Sequence, residues 1–247
     1  MTVFITPDWP APATVGALST TRLGGQSLPP YDQLNLGDHV GDDPATIAAN
    51  RLTVQTQAGL ASAPIWLNQV HGTRCLDASQ AKTGDEADAI VAHKAGPICA
   101  IMTADCLPLL LCNKVGDRIG AAHAGWRGLL DGVIESTLSA MDCPGDTLLA
   151  WLGPAIGPMA FEVGPEVRDA FVAKDDTAAK AFKPVSGPGD KWLCDIYALA
   201  HLRLQQAGVT AIYGGDRCTW REKDTFFSYR RDGSTGRMAS LIWLKNV

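Results

Sequence analysis

Residues 98–128 read ICAIMTADCLPLLLCNKVGDRIGAAHAGWRG, and the rest of the chain is organised around them. Two apolar runs stop abruptly at polar chemistry. The first, residues 98–102, ends in Thr103-Ala104-Asp105-Cys106. The second, residues 109–112, turns through 113–117 and returns as Ile119-Gly120-Ala121-Ala122 into His123. Short apolar runs bounded by turn residues read as buried strands. Asp105, Cys106 and His123 are therefore expected at strand ends, where a scaffold holds reactive groups still. Arg127 follows at the start of the next segment. Upstream, WLNQVHG (66–72) has the same form, a strand-like run breaking at His71. His71, Cys106 and His123 thus become candidate partners in space.

Outward from this centre, helices and strands alternate irregularly. Residues 1–40 lack helical periodicity, and their paired glycines and prolines indicate strands and loops. They contain TTRLGG (20–25) and LNLGDH (34–39). A turn-rich surface accounts for both. The sharper expectation is that Arg22 and Asn35 face the site and bind an anion or a sugar hydroxyl. Asp43-Pro44 suits a helix N-cap and first position. Ile47, Leu52, Val54 and Leu60 give that helix an apolar face. A Gly/Asp/Glu loop at 84–88 leads into a strand over 89–92. The apolar spacing after Arg127 predicts a helix near 130–141. A strand follows at 148–152, then a short helix over 166–174 and a loop at 184–190. A helix over 193–206, a strand over 209–213 and a final strand over 238–244 complete the pattern. Hairpin-like spacing is at least as common as strand–helix alternation. A single α/β domain over residues 1–247 is expected, with a mixed sheet and flanking helices.

Composition narrows the function. The chain has 247 residues, 46% hydrophobic and 19% charged, enough for a sizeable core and unlike a disordered chain. A net charge of −5 opposes a nucleic-acid-binding surface. No run approaches the roughly 20 apolar residues of a membrane span, and no secretory signal opens the chain. A cytoplasmic location, no membrane partner and a small-molecule substrate are expected, for a monomer or homodimer. The seven cysteines include no C-x-x-C pair, so most are expected to be reduced core residues.

Two chemistries suit the centre. Two imidazoles and a thiolate are the donors zinc prefers, and three protein ligands leave a catalytic position open. Alternatively, Cys106 is a nucleophile with His123 as its base, oriented by Asp105 or His71. The residue types fit both. Arg22, Arg127, Arg230 and Arg231 are the anion-binding candidates, because a guanidinium fork suits phosphate, with at least one of the adjacent pair Arg230-Arg231 expected to be a solvated surface charge. Trp126, Phe226, Phe227 and Tyr229 lie beside arginines, where they either stack on a ring or fill the core.

The chain also resembles the YfiH family, long labelled multicopper polyphenol oxidase or laccase-domain proteins. The matching motifs run nearly end to end. They are TTRLGG, LNLGDHVGDDP, NQVHG, TADCLPLLL, AAHAGWRG, WLGPAIGP, FEVG and FFSYRRDGSTGRMASLIWL. The resemblance implies an α/β sandwich similar to deamidating cysteine-hydrolase toxins. It implies zinc held by His71, Cys106 and His123. It implies phosphorolysis of adenosine, inosine and methylthioadenosine, together with adenosine deamination, for which Asp105 is a candidate proton shuttle. Peptidoglycan precursor editing by a cysteine or metal amidohydrolase is an alternative implication. A conventional laccase needs roughly ten histidines by the ligand logic of copper sites. The chain has five in all. Copper at the same three residues could still support slow phenol oxidation.

Overall fold

The computed structural model describes residues 4–186 and 190–245. In chain order the strands are β1 (Phe4–Ile5), β2 (Val15–Thr20), β3 (Ile65–Trp66), β4 (Cys75–Asp77), β5 (Ala89–Ala92), β6 (Ile98–Thr103) and β7 (Leu107–Asn113). They continue as β8 (Ile119–Ala124), β9 (Leu148–Leu152), β10 (Glu162–Val163), β11 (Phe182–Pro184), β12 (Trp192–Cys194), β13 (Ala211–Gly214) and β14 (Met238–Leu244). The α-helices are α1 (Pro44–Gln57), α2 (Trp126–Asp131), α3 (Val133–Met141), α4 (Pro165–Lys174), α5 (Ile196–Gln206) and α6 (Tyr229–Asp232).

Two mixed sheets stack face to face. One runs β1-β2-β14-β6-β3 and the other β13-β9-β7-β8-β5-β4, while β10-β12-β11 form a small third sheet. The strand parities show how the layers form. Along β6, Cys99 and Ile101 face the core between the sheets, whereas Ile98, Ala100 and Met102 pack outward with Val54 of α1. Along β7, Leu110 and Cys112 join the inter-sheet core, and Leu107, Leu109 and Leu111 meet the helical layer that includes α3 and α5. Both strands are buried on both faces. They therefore read as continuous apolar runs rather than as alternation. The result is a sandwich of helix, sheet, sheet and helices.

Residues 103–106 cross from one sheet to the other, since β6 and β7 belong to different sheets. Strands β7 and β8 form the expected hairpin, which pairs Pro108 with His123. The crossing places Cys106 at the open end of the seam between the sheets. His123 has the parity of Ile119 and Ala121, which face that seam.

Several sequence expectations shift by a few residues for local reasons. The helix expected near 130–141 divides at Gly132, which sits at φ 110 where an L side chain is strained. The helix expected from 193 begins at Ile196, because Trp192–Cys194 pairs into the third sheet and Asp195 caps the helix through Ala198 N. The strand expected over 209–213 is Ala211–Gly214. Asp43 caps α1 as expected, through Thr46 N, but Leu52 is exposed rather than on the packed face. The loop expected at 184–190 starts with the last residue of β11, and its positions 187–189 lie outside the described residues.

Leu110 is fully buried between the sheets. We expect Leu110→Ala to cost about 2–5 kcal/mol, as for a large-to-small change in a closed core. The thermal midpoint should fall by roughly 2–4 °C per kcal/mol in a chain of this size. Differential scanning calorimetry checks this, and a loss under about 1 kcal/mol would contradict a tightly packed seam.

Candidate metal centre and its cavity

A buried carboxylate assembles the site. Asp88 is fully buried just before β5. Its Oδ2 accepts from Val70 N at 3.1 Å and Gly72 N at 2.7 Å, and its Oδ1 from His71 N at 2.9 Å. The turn at 70–72 is thereby wrapped around one carboxylate, and His71 takes φ 62. That left-handed conformation is rare for most residues but tolerated by histidine. The same Oδ1 lies 2.7 Å from His123 Nδ1. Burial opposes ionisation of Asp88, but the His123 hydrogen bond and charge and the backbone N–H groups together hold its carboxyl below the usual range.

Cys106 follows a strained residue. Asp105 has φ 91, outside ordinary L-residue space. Its carboxylate accepts from Thr219 Oγ1 at 2.6 Å, Ser228 Oγ at 3.0 Å and Arg230 N at 2.7 Å, while its carbonyl accepts from Ile156 N. Four contacts to distant chain segments over-determine the turn, which aims the Cys106 thiol at the histidines. Gly125 completes the cradle: a Cβ there would lie 2.8 Å from His71 Cδ2 and 3.1 Å from Cys106 Sγ. A Cβ on Gly128 would meet the Gly72 carbonyl at 2.9 Å. The glycines of AHAGWRG thus let α2 press against the His71 turn.

The three side chains converge. Cys106 Sγ is 3.8 Å from His71 Nε2, and the His71 and His123 rings meet edge to face with centroids 4.7 Å apart. One ligand atom from each lies within 4.8 Å of the others. Burial pushes the Cys106 thiol up, yet the His123 charge and hydrogen bonds from both histidines outweigh it and bring it to about 6. Burial pulls His123 down, but the thiolate and Asp88 lift it to about 9. By contrast, burial pushes the Cys75 and Cys112 thiols up to about 12. The donor set fits a metal ion. Two imidazoles and a thiolate are grouped, and Asp88 occupies the outer nitrogen of His123 as outer partners of metal-binding histidines do.

The cluster stands where two lobes of a cavity meet. One lobe, of about 420 Å³, is polar and includes His39, Gln69, Thr103, Tyr229 and Arg237 beside the three cluster residues. The other, of about 220 Å³, is walled by Trp126, Ile156, Phe161 and Ile196, with Arg127 and Arg230 at its edge. His71, Cys106 and Tyr229 line both.

The remaining residues singled out in the sequence are placed as follows. Arg127 stacks on Trp126, and Arg230 stacks near Phe161 and donates to the Glu162 carbonyl. Arg22 is elsewhere. It donates to the carbonyls of Asp32 and Lys223, stacks over Phe227 and lines a separate groove. Asn35 is fully buried and binds no cavity: it donates to the Gly37 carbonyl and Asp42, and accepts from Gly37 N and Arg237 N. Asp105 does not face the cluster as a free acid or an imidazole orienter, because both its oxygens are taken. Phe226 and Phe227 are core residues. Sequence reading did not find Asp88, His39, Gln69 or Arg237.

The model of the family described as multi-copper polyphenol oxidoreductase laccase matches residues 16–245. The chain belongs to this family. Its relatives include the Escherichia coli K12 protein named purine nucleoside phosphorylase YfiH, 54% identical over 99% of this chain and 100% of that protein. A Pseudomonas aeruginosa protein named purine nucleoside phosphorylase is 52% identical over 100% of both. Among solved structures, a Neisseria meningitidis protein superposes with TM-score 0.94 at 53% identity, covering 98% of this chain and 99% of that one. YlmD from Geobacillus stearothermophilus gives 0.85 at 29% identity, covering 95% and 93%. The YfiH resemblance and the α/β sandwich stand. No helix among the described residues is long and apolar enough to cross a membrane.

In this laccase-like family member, Asp88 both orients His123 and shapes the His71 turn. We expect Asp88→Asn to weaken the binding of added zinc by about 10–100-fold, the range for losing such an outer partner of a metal-binding histidine. Competition with a chromophoric chelator measures this. Affinity within about twofold of wild type would remove Asp88 from the metal site.

Proposed function

We propose that the protein is a metal-dependent purine nucleoside phosphorylase. It takes adenosine, inosine or methylthioadenosine with phosphate, and releases the base and the sugar 1-phosphate. The observation that carries this reading is the two-lobed cavity meeting at His71 and Cys106, with His123 lining its polar lobe. An aromatic and aliphatic lobe beside Trp126 and Phe161 suits a flat base, and a polar lobe suits an anion. The relatives named purine nucleoside phosphorylase support it.

His71, Cys106 and His123 would hold the metal, with zinc as the expected ion and copper an accepted competitor. When bound, it supplies Lewis acidity where the lobes join. The chain's own groups do the rest. Trp126, Ile156, Phe161 and Ile196 exclude water from the base. Arg127 and Arg230 close the edge of that lobe. Asp88 keeps the His123 proton on Nδ1, so Nε2 faces the cluster. Adenosine deamination at the same centre is part of the proposal. Asp105 enters it as the residue that places Cys106, since its carboxylate is not free to shuttle protons.

One observation favours a second reading. The Cys106–His123–Asp88 line also has the form of a cysteine nucleophile, base and orienting acid, and the Cys106 thiol is the acidic one. That arrangement would serve an amidohydrolase acting on a peptidoglycan precursor. Slow copper-supported phenol oxidation at this single cluster is compatible with the family's description.

Two measurements separate these readings. Protein purified without added metal should carry about one zinc per chain, as three-ligand catalytic sites do. Chelation should abolish phosphate-dependent base release from inosine, and zinc should restore it. Full activity in metal-free protein would refute the metal reading. In Cys106→Asp, a carboxylate can still bind zinc at about 2.0–2.2 Å. This variant should keep some zinc and some turnover. Complete loss of turnover, with a substrate adduct on wild-type Cys106 by mass spectrometry, would make Cys106 the nucleophile.

A further inference from the structure

We propose that Arg237 anchors the phosphate of phosphorolysis, in the polar lobe beside His71, Cys106 and His123. The proposal rests on the phosphorylase reading and names the residue that reading leaves open.

Arg237 is a half-buried cation without a carboxylate partner among the described residues. Its Nη1 donates to the carbonyls of Thr235 at 2.9 Å and Gly236 at 3.1 Å. Its other nitrogens have no hydrogen-bond partner among the described residues. Burial pulls its pKa down, and the negative groups at Cys106 and Asp105 only partly oppose that. A desolvated guanidinium costs free energy unless an anion meets it, and a phosphate oxygen pair matches its fork. Beside it, Thr235 is 1% exposed and its Oγ1 has no hydrogen-bond partner. Buried hydroxyls in native proteins nearly always have one. Thr235 and Ser234 line an adjoining pocket that shares His39, Tyr229 and Arg237 with the polar lobe.

The nearby acids are already engaged. Asp38, next to His39, pairs with Arg51 at 3.3 Å. Asp42 accepts from Ser27 and Asn35, and Asp105 is held by three donors. Burial and the Arg237 charge pull His39 down, against the opposing pull of Asp38, which lies 3.7 Å from its Nδ1. Among the described residues no carboxylate is therefore paired with the Arg237 guanidinium in the polar lobe.

The LNLGDH stretch is built to hold this arginine. Asn35 Oδ1 accepts from Arg237 N at 2.9 Å and from Gly37 N at 2.9 Å, and Leu36 N donates to the Arg237 carbonyl. A Cβ on Gly37 would lie 2.7 Å from Arg237 Cγ, so the arginine stem lies directly on the glycine. Asn35 is a positioning residue for the anion site. The other arginines are less suited. Arg22 is satisfied in another groove, while Arg127 and Arg230 are exposed and sit at the apolar lobe.

In the reaction, an oxygen of hydrogenphosphate forms a bond to C1′ as the C1′–N9 bond breaks. The electron pair of the broken bond leaves with the purine. The proton of hydrogenphosphate ends on the purine, and the sugar 1-phosphate is the other product. Holding the anion across the cluster from the base turns a three-body encounter into an oriented one.

The test uses zinc-replete wild type, Arg237→Gln and Arg237→Lys, each checked for zinc content and thermal midpoint. Calorimetric titration with inorganic phosphate should show binding to wild type, weakened about 10–100-fold in Arg237→Gln, the range for losing a charge-assisted pair. Arg237→Lys should recover part of the affinity. In kinetics, KM for phosphate should rise by a similar factor while KM for inosine changes little. A purely structural role would move both constants. Equal phosphate affinity in wild type and Arg237→Gln, or no phosphate binding to wild type, would overturn the proposal. Tight binding of inosine 5′-monophosphate without binding of free phosphate would give the subsite to a nucleotide and also overturn it. Phosphate bound through Arg237 but no base released by wild type would keep the anchor and refute the phosphorylase reading instead.

Discussion

The Asp88 carboxylate holds the site together. It is fully buried, and an uncompensated charge there would be strongly destabilising. Three consecutive backbone N–H groups and the His123 imidazole supply the compensation. These partners come from two separate segments, the 70–72 turn and β8. A single acid therefore fixes the left-handed conformation of His71, the orientation of His123 and the distance between them. Cys106 arrives independently, through a turn held by Thr219, Ser228, Ile156 and the Arg230 backbone. The His71, Cys106 and His123 cluster is the point where these two networks touch.

The two-sheet architecture explains why the cavity has two kinds of lobe. The polar lobe is built at the edge of the five-stranded sheet, from the 39 loop, Gln69, the end of β6 and Arg237 before β14. Gln69 is spent there on the β6 edge, donating to the Met102 carbonyl and accepting from Met102 N. The apolar lobe belongs to the helical layer over the six-stranded sheet, and Ile156, Phe161 and Ile196 continue that layer's core to the surface. Residues 103–106 pass between the sheets, so Cys106 stands where the environments change. A ligand with a flat apolar part and an anionic partner fits such a boundary. Neither lobe alone offers both.

The candidate cluster was legible in the sequence because each member ends or follows an apolar run. His71, Cys106 and His123 could be grouped from patterning alone. Their supports were not. Asp88 is one acid in an acidic loop, and nothing in its neighbours distinguishes a buried acceptor from a solvated charge. Asn35 and Arg22 were expected at the site for their hydrogen-bonding chemistry, which is real but directed inward to loop carbonyls and to Arg237 N. Arg237 sits alone before the last strand, with no local pattern to mark it.

The sequence by itself marked the central strands, because short apolar runs such as 98–102 and 238–244 bounded by turn residues read as buried extended chain. It determined the start of α1, where Asp43 caps locally. It determined that three residues of metal-binding type, two histidines and a cysteine, end or follow such runs. The tertiary structure decided which sheet each strand joins. Strands β6 and β7 are adjacent in sequence yet lie in opposite sheets, and their apolar faces suit either placement. It also decided that 192–194 pairs as a strand rather than extending α5, because the partners Glu162–Val163 and Phe182–Pro184 come from elsewhere. Local patterning reports whether a residue is buried. It does not report which distant group completes its hydrogen bonds or charge, and in this protein that pairing fixes what Asp88, Asp105, Asn35 and Arg237 do.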